Sequence, residues 1–290
     1  GELTISGGTI GTAQGGNGNS SRSGTGGDGI YSKTMEILGG IIQKAIGGNA
    51  KGNTCTGGSG IHSDGTLTIS GGEIQQATGG DSAGNSGKGG TGIRGDQVVN
   101  ISGGAIGSAK GGSGGSGGAN SSKATTINIT GGTIKNATGT DGGAGIGSGY
   151  IGGSSTVNIS GDAELKDVRG GNLAAGIGSG YGSDKVDVVI DGGTINATGG
   201  DSAAGIGSGH NSRSSVIIKS GTVNAAGNKH SSDGSSGIGG NYTDVTISGG
   251  NIQATGYDTG AGIGGSYSGD SSKITITGGT ITANGTGETP

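Results

Sequence analysis

An isoleucine, followed in most copies by a polar residue and two small residues, recurs along the whole chain with a period of about 30 residues. Ten copies occur, among them TISGG, NITGG and TITGG, and successive isoleucines lie 28 to 32 residues apart. The anchoring isoleucines are Ile5, Ile37, Ile69, Ile101, Ile129, Ile159, Ile190, Ile218, Ile247 and Ile276. A regular internal repeat of this length indicates a stacked architecture in which each repeat contacts its neighbours.

Two further apolar columns accompany the anchors. One lies five residues after the anchor, as in Ile10 and Ile42, and the other is an isoleucine preceded by glycine, as in Ile61 and Ile177. Around the anchor, apolar and polar residues alternate, and this period of two is typical of a strand. The sequence therefore predicts an all-β chain, a right-handed single-stranded parallel β-helix of about ten coils with three short strands per coil.

Glycine and the missing large aromatics agree with this architecture. The chain has 81 glycines, no Phe and no Trp, and the narrow interior of a β-helix holds stacked isoleucines more readily than large rings. The glycine pair after each first strand predicts a sharp turn, because glycine reaches positive φ without strain. We expect one β-helix domain over residues 1–284, with sub-blocks of about 1–160 and 161–284, and the start of a linker at 285–290.

Charge and hydrophobicity exclude several classes of partner. The net charge is −4 and no basic patch occurs, so we expect no nucleic-acid partner. No apolar stretch approaches the roughly 20 residues of a membrane span, so we expect no membrane insertion. Cys55 is the single cysteine, which excludes an internal disulfide.

The strongest candidate site is a column of rings four residues after the third-column isoleucine. Residues of one type at one phase of a solenoid form a stripe on one face. The aromatic column consists of Tyr150, Tyr181, His210, Tyr242 and Tyr267. Such rings favour the stacking of sugar rings and hydrogen bonds from tyrosine hydroxyls. The structural alternative is that each ring covers a glycine-rich turn and packs on the ring of the next coil.

Other polar columns are weaker candidates. Tyr31, His62 and Arg94 directly follow the third-column isoleucine of the early coils, and surface variation is the simpler explanation of this stripe. Acidic or amide residues follow the second strand, and Asp81, Asp141, Asp201 and Asp258 are its weak candidates for a Ca²⁺ site. Turn capping by these side chains is the alternative. No cofactor is required, Ca²⁺ is possible, and the three histidines are too scattered for a zinc site.

An enzyme is the least favoured function. Charged residues concentrate at Asp162, Glu164, Asp167 and Arg169, with Asp184, Lys185, Asp187 and Asp191 one coil later. Two facing carboxylates there would suit a glycoside hydrolase. However, coil lengths are uniform and no inserted loop builds a substrate cleft, so we expect a solvated break between the sub-blocks and no catalytic residues.

The segment GSGIHSDGTLTISGGEI (Gly58–Ile74) resembles the secreted clostridial carbohydrate-binding β-helix proteins, which are similar in fold to pectate lyases. The AGIGSG and GAGIGG units resemble glycine-rich repeats of large surface proteins from Gram-positive gut bacteria. These resemblances imply an extracellular β-helix and, in some relatives, binding of plant polysaccharides with bound calcium. They map no family binding motif onto particular residues.

Together these observations predict a non-catalytic extracellular module of a bacterial cell surface or secreted protein. It would bind polysaccharide or host glycan through the aromatic column and would be joined to other domains of a longer surface protein. The main alternative is a structural stalk that spaces an adhesin from the cell wall. The second alternative is a polysaccharide lyase or glycoside hydrolase.

Overall fold

A computed structural model describes residues 1–18, 24–52, 54–83, 87–113, 125–228, 234–266 and 273–286. These residues form strands and turns, and no helix occurs among them. The strands are β1 (Glu2–Gln14), β2 (Ile30–Ser32), β3 (Thr34–Ile46), β4 (Ile61–Ser63), β5 (Thr66–Ile69), β6 (Glu73–Thr78), β7 (Ile93–Gly95), β8 (Val98–Ile101), β9 (Ala105–Lys110), β10 (Thr125–Ile129), β11 (Thr133–Thr138), β12 (Ile146–Gly147), β13 (Ser155–Arg169), β14 (Ile177–Gly178), β15 (Val186–Thr198), β16 (Ile206–Gly207), β17 (Ser214–Ala226), β18 (Ile238–Gly239), β19 (Thr243–Ile247), β20 (Asn251–Tyr257), β21 (Ile263–Gly264), β22 (Ile274–Ile276) and β23 (Thr280–Thr286).

The strands stack into a parallel β-solenoid. One sheet of 15 strands carries the first and second segments of each coil, and it stacks ten levels from β1 to β22 and β23. The third side consists of two smaller sheets, β2-β4-β7 and β12-β14-β16-β18-β21, which together supply eight levels. The fold class is confirmed, with about eight complete turns among the described residues where the sequence predicted ten coils.

The apolar columns are in register from coil to coil. Ile5 pairs with Ile37, and the anchoring isoleucines continue pairwise to Ile276 at the last level. In the second column, Leu165 fills the level between Ile134 and Ile195. Parallel pairing with equal phase places like side chains above one another, so each column becomes a continuous ladder.

These ladders form the core. One cluster of buried side chains extends from Ile5 to Ala254, and most of its isoleucines and valines are less than 2% exposed. Each coil contributes only a few apolar side chains, so the stacking of neighbours supplies the burial that stabilises the fold. Cys55 is buried as a free thiol.

The paired glycines take the predicted turn conformation. In the early coils the second glycine of each pair has φ close to +80°, for example 81° at Gly40 and 77° at Gly72. A Cβ at Gly72 would also lie 2.8 Å from backbone atoms of Gly39 and Gly40 in the preceding coil. Both the positive φ and the close approach of backbones therefore require glycine at this position.

The pairing of β13 with β15 is irregular where the sequence suggested a break. Register shifts lie between Gly161 and Glu164 and between Leu165 and Val168. The long sheet and the core nevertheless continue across this point. At the other end, β23 includes Gly285 and Thr286, which pair with Gly256 and Tyr257, so the strand extends two residues into the segment assigned to a linker.

Candidate functional site

A polar cluster lies on the early third-side sheet, where the sequence showed only a weak stripe. The register pairs Tyr31 of β2 with His62 of β4, and His62 with Arg94 of β7. Three carboxylates surround these side chains. We refer to Asp28, Tyr31, His62, Asp64, Arg94 and Asp96 as the His62 cluster.

One side of the imidazole is fixed by Asp28. Nδ1 of His62 lies 2.7 Å from Oδ2 of Asp28, and the other oxygen of Asp28 accepts a hydrogen bond of 2.6 Å from the backbone N–H of Ser59. With Asp28 ionised, Nδ1 carries the proton and donates it. In the neutral ring the lone pair is then on Nε2.

The other side of the imidazole faces two carboxylates. Nε2 of His62 lies 3.4 Å from Oδ1 of Asp96 and 3.7 Å from Oδ1 of Asp64. His62 is 9% exposed, and its buried Nε2 has no hydrogen-bond partner among the described residues. Nε2 is therefore enclosed by the cluster, beside the more exposed side chain of Asp64.

Two hydrogen bonds fix the carboxylates of the cluster. Nε of Arg94 donates to Oδ1 of Asp96 over 2.6 Å, and the hydroxyl of Tyr31 donates to Oδ2 of Asp64 over 2.5 Å. The bond to Asp64, with a smaller effect of the surrounding negative charge, raises the pKa of Tyr31 above its ordinary value of 10.0. Oδ1 of Asp64 remains directed at His62.

These atoms have the chemistry of a metal site. One nitrogen of His62 and one oxygen each of Asp64 and Asp96 lie within 4.8 Å of one another. The expectation against a zinc site considered only the three histidines, whereas in this group carboxylates accompany His62. His210 is elsewhere on the third side, and His230 lies outside the described residues. The signal in the sequence was the shared phase of the aspartates in IHSD and IRGD.

The aromatic column forms a stack over three coils. The rings of Tyr150 and Tyr181 have centroids 5.3 Å apart and planes 9° apart, and those of Tyr181 and His210 are 5.8 Å and 8° apart. All three side chains are half-buried. Neighbouring rings are stacked on one another, and all three side chains remain partly exposed.

The other two members of the column do not extend this stack. Tyr242 is 45% exposed and lies under Arg213, whose guanidinium carbon is 5.5 Å from the ring centroid. The preceding turn explains the difference. Ser214 comes eight positions after Ile206, but the equivalent Thr243 comes only five positions after Ile238. The register therefore places Tyr242 beside Arg213. Tyr267 lies outside the described residues.

The acidic and amide column caps turns between coils. Oδ1 of Asn49 accepts a hydrogen bond of 2.8 Å from the backbone N–H of Asp81, and Oδ1 of Asp81 accepts one of 2.7 Å from Ser113. Each side chain thus bonds the equivalent backbone position one coil later. This geometry favours capping for Asp81, although the bonded backbone is that of the next coil and not the side chain's own turn.

The remaining calcium candidates are in separate turns. Asp201 accepts a hydrogen bond from Nδ2 of Asn228, and Asp141 and Asp258 have φ of 49° and 55°. Aspartate is among the residues that tolerate this left-handed conformation. Among the described residues, none of the four candidates belongs to a group of three metal-ligating side chains.

The charged residues near the register shift pair with cations close by in sequence. The pairs are Glu164 with Lys166 at 3.2 Å, Asp167 with Arg169 at 2.7 Å, and Asp187 with Lys185 at 2.8 Å. These side chains are about two-fifths exposed or more. Exposed pairs of this kind contribute little to stability.

Comparison with protein families finds the beta helix repeat in four segments, residues 127–150, 188–210, 216–242 and 245–267. Each segment covers about one coil. No curated protein and no solved structure matches the chain. The described residues also contain no helix that is long and apolar enough to cross a membrane. The repeats and the stacked parallel sheets agree, and the chain is therefore a parallel β-helix protein with beta helix repeats in its later coils.

Proposed function

We propose that this chain is a non-catalytic module of a bacterial surface or secreted protein, and that it binds polysaccharide or host glycan on its third side. The observation that carries the proposal is the half-buried stack of Tyr150, Tyr181 and His210, which repeats polar ring edges over three successive coils. A polymer lying along the solenoid axis would meet one such edge in each of these three coils. The resemblance of Gly58–Ile74 to secreted carbohydrate-binding β-helix proteins favours the same function and an extracellular location.

The geometry favours edge contacts over stacking of sugars between the rings. Neighbouring ring planes are nearly parallel with centroids 5.3 to 5.8 Å apart, which leaves no space for a sugar ring between them. The hydroxyls of Tyr150 and Tyr181 and the imidazole of His210 can instead exchange hydrogen bonds with sugar hydroxyls. Ile151 and Tyr242 are exposed and extend the same side, and the exposed part of the Tyr242 ring suits contact with a sugar ring.

The test is a screen of immobilised plant polysaccharides and host glycans, run with Ca²⁺ and with a chelator. We expect the wild type to bind at least one polysaccharide and the Tyr150→Phe/Tyr181→Phe variant to bind it much more weakly. Phenylalanine keeps the stacked rings and removes only the hydroxyls. Tyr257→Phe is the matched control, because Tyr257 lies in β20 of the long sheet. Binding that survives the chelator would agree with the expectation that Ca²⁺ is not required.

A stalk is the second candidate, and the hydrogen bonds between coils favour it. Asn100, Asn128 and Asn158 form a ladder in which each amide donates to the one before it, over 2.8 and 2.9 Å. Buried serines such as Ser148 and Ser183 also bond across coils. Continuous ladders of this kind stiffen a solenoid without any ligand. A wild type that binds no glycan in the screen would leave the stalk as the function that these contacts support.

A further inference from the structure

We propose that Nε2 of His62, Oδ1 of Asp64 and Oδ1 of Asp96 form a binding site for a divalent cation of the zinc class. The site lies on the β2-β4-β7 sheet, whereas the three-ring stack lies beside β12, β14 and β16. The inference therefore does not depend on the glycan-binding proposal, and it concerns none of the aspartates that the sequence suggested for Ca²⁺.

The first reason is the state of the imidazole. Asp28 binds Nδ1, so the neutral ring presents its Nε2 lone pair to two carboxylate oxygens at 3.4 and 3.7 Å. Oδ1 of Asp96 also accepts from Nε of Arg94, so the buried Nε2 of His62 is the atom of this group that lacks a hydrogen-bond partner among the described residues. A cation beside Nε2 and the two carboxylates would give this nitrogen a partner. The contacts of Nε2 with the two carboxylates do not have hydrogen-bond geometry, so a metal ion would not displace an existing hydrogen bond of this nitrogen.

The second reason is the spacing of the donor atoms. Zinc binds histidine nitrogen and carboxylate oxygen at about 2.0–2.2 Å, so two ligands of a tetrahedral ion lie roughly 3.3–3.6 Å apart. Nε2 is 3.4 Å from Oδ1 of Asp96, within this range, and 3.7 Å from Oδ1 of Asp64, slightly beyond it; all three ligand atoms lie within 4.8 Å of one another. The contact of Asp28 with Nδ1 also matches the carboxylate that commonly orients a metal-bound histidine.

The third reason is the charge and openness of the cluster. Ionised Asp28, Asp64 and Asp96 with the guanidinium of Arg94 leave two negative charges, which a divalent cation would neutralise. Asp96 is nearly buried, but the side chain of Asp64 is 43% exposed and gives an ion a route from solvent. Three protein ligands leave a position for water, as in open zinc sites. The imidazole ligand favours zinc-class ions over Ca²⁺, which binds oxygen.

The experiment measures metal binding by the whole chain, without an affinity tag and after treatment with a chelator. Equilibrium dialysis against ZnCl₂ is expected to give one bound equivalent, and the visible spectrum of bound Co²⁺ is expected to be that of a four- or five-coordinate ion. Asp64→Asn and Asp96→Asn should weaken zinc binding at least about tenfold, and Asp28→Asn about 10–100-fold. His210→Gln and Asp187→Asn are matched controls with wild-type binding expected.

Folding and ligand identity are checked separately. Circular dichroism confirms that each variant is folded, and Asp64→Asn is the safest variant because its side chain is the most exposed of the ligands. Nitrogen NMR of the imidazoles should show that zinc shifts Nε2 of His62. The proposal is overturned if the wild type binds no zinc, if folded Asp64→Asn binds it as the wild type does, or if Ca²⁺ binds the site more tightly than zinc. It is also overturned if Nε2 carries a proton when zinc is present in excess.

Discussion

The hydroxyl of Tyr31 donates a 2.5 Å hydrogen bond to Oδ2 of Asp64, which lies one coil further along the solenoid. Ionisation of the phenol would break this bond and place a second negative charge beside the carboxylate, and the pKa of Tyr31 is accordingly raised above 10.0. We predict that Asp64→Asn lowers the pKa of Tyr31 towards its ordinary value. Ultraviolet titration of the two proteins measures the shift, with Tyr31→Phe to assign the transition. An identical midpoint in both proteins would contradict the prediction.

The ladder of Asn100, Asn128 and Asn158 predicts that its central residue, Asn128, does not tolerate replacement by aspartate. Nδ2 of Asn128 donates to Asn100, and its Oδ1 accepts from Asn158. Asn128→Asp keeps the size of the side chain but replaces a donor by an acceptor that faces the oxygen of Asn100. We expect a loss of about 1–3 kcal/mol in the free energy of unfolding at neutral pH, measured by urea denaturation. The loss should shrink when the carboxyl is protonated; an equal loss at acidic pH would argue against this origin.

The core ladder predicts a contrast between two leucines. Leu165 is fully buried in the second column, whereas Leu38, which follows Ile37 in β3, is 47% exposed. We expect Leu165→Ala to lower the free energy of unfolding by about 2–5 kcal/mol, since it leaves a cavity between stacked coils. Leu38→Ala should stay within about 0.5 kcal/mol of the wild type. Equal effects in urea denaturation would mean that the second column is not the core.

A glycine beneath the rings predicts how the three-ring stack can be disturbed without removing a ring. A Cβ added to Gly142 would lie 2.6 Å from Cδ2 of Tyr150 and 3.0 Å from Cβ of Tyr181. Gly142→Ala should therefore displace the ring of Tyr150, lower the near-ultraviolet circular dichroism of the tyrosines, and weaken glycan binding. Gly7→Ala is the control, because a Cβ there meets nothing within 4 Å. An unchanged tyrosine signal in Gly142→Ala would show that the stack does not depend on this contact.

The apolar ladders of the fold could be predicted from the sequence because the residues of each column recur at the same position of the repeat. Ile5, Ile37 and Ile69 recur at equal spacing, and parallel stacking turns equal spacing into direct contact. The second column has no isoleucine at the level between Ile134 and Ile195, and Leu165 occupies this position in the structure. Leu165 lies six residues after its anchor, where the other coils have five. Its register could be assigned only once the irregular pairing of β13 was known.

The sites were harder to predict because they depend on turn lengths and side-chain directions. Tyr242 shares the phase of His210 when counted from the third column, but a turn three residues shorter moves it beside Arg213. The His62 cluster combines residues from three phases of the repeat, so no single column revealed it. The nearly parallel planes of Tyr150 and Tyr181 likewise follow from rotamers that a repeat pattern does not specify.

The most direct measurement is the affinity of the wild type and of Tyr150→Phe/Tyr181→Phe for the polysaccharide that binds most strongly in the glycan screen. Isothermal titration is expected to show binding by the wild type and by Tyr257→Phe, and about a tenfold or greater loss in the double variant, because two hydrogen bonds are removed while the stacked rings remain. A wild type that binds no glycan, or a folded double variant with unchanged affinity, would contradict recognition through the ring edges.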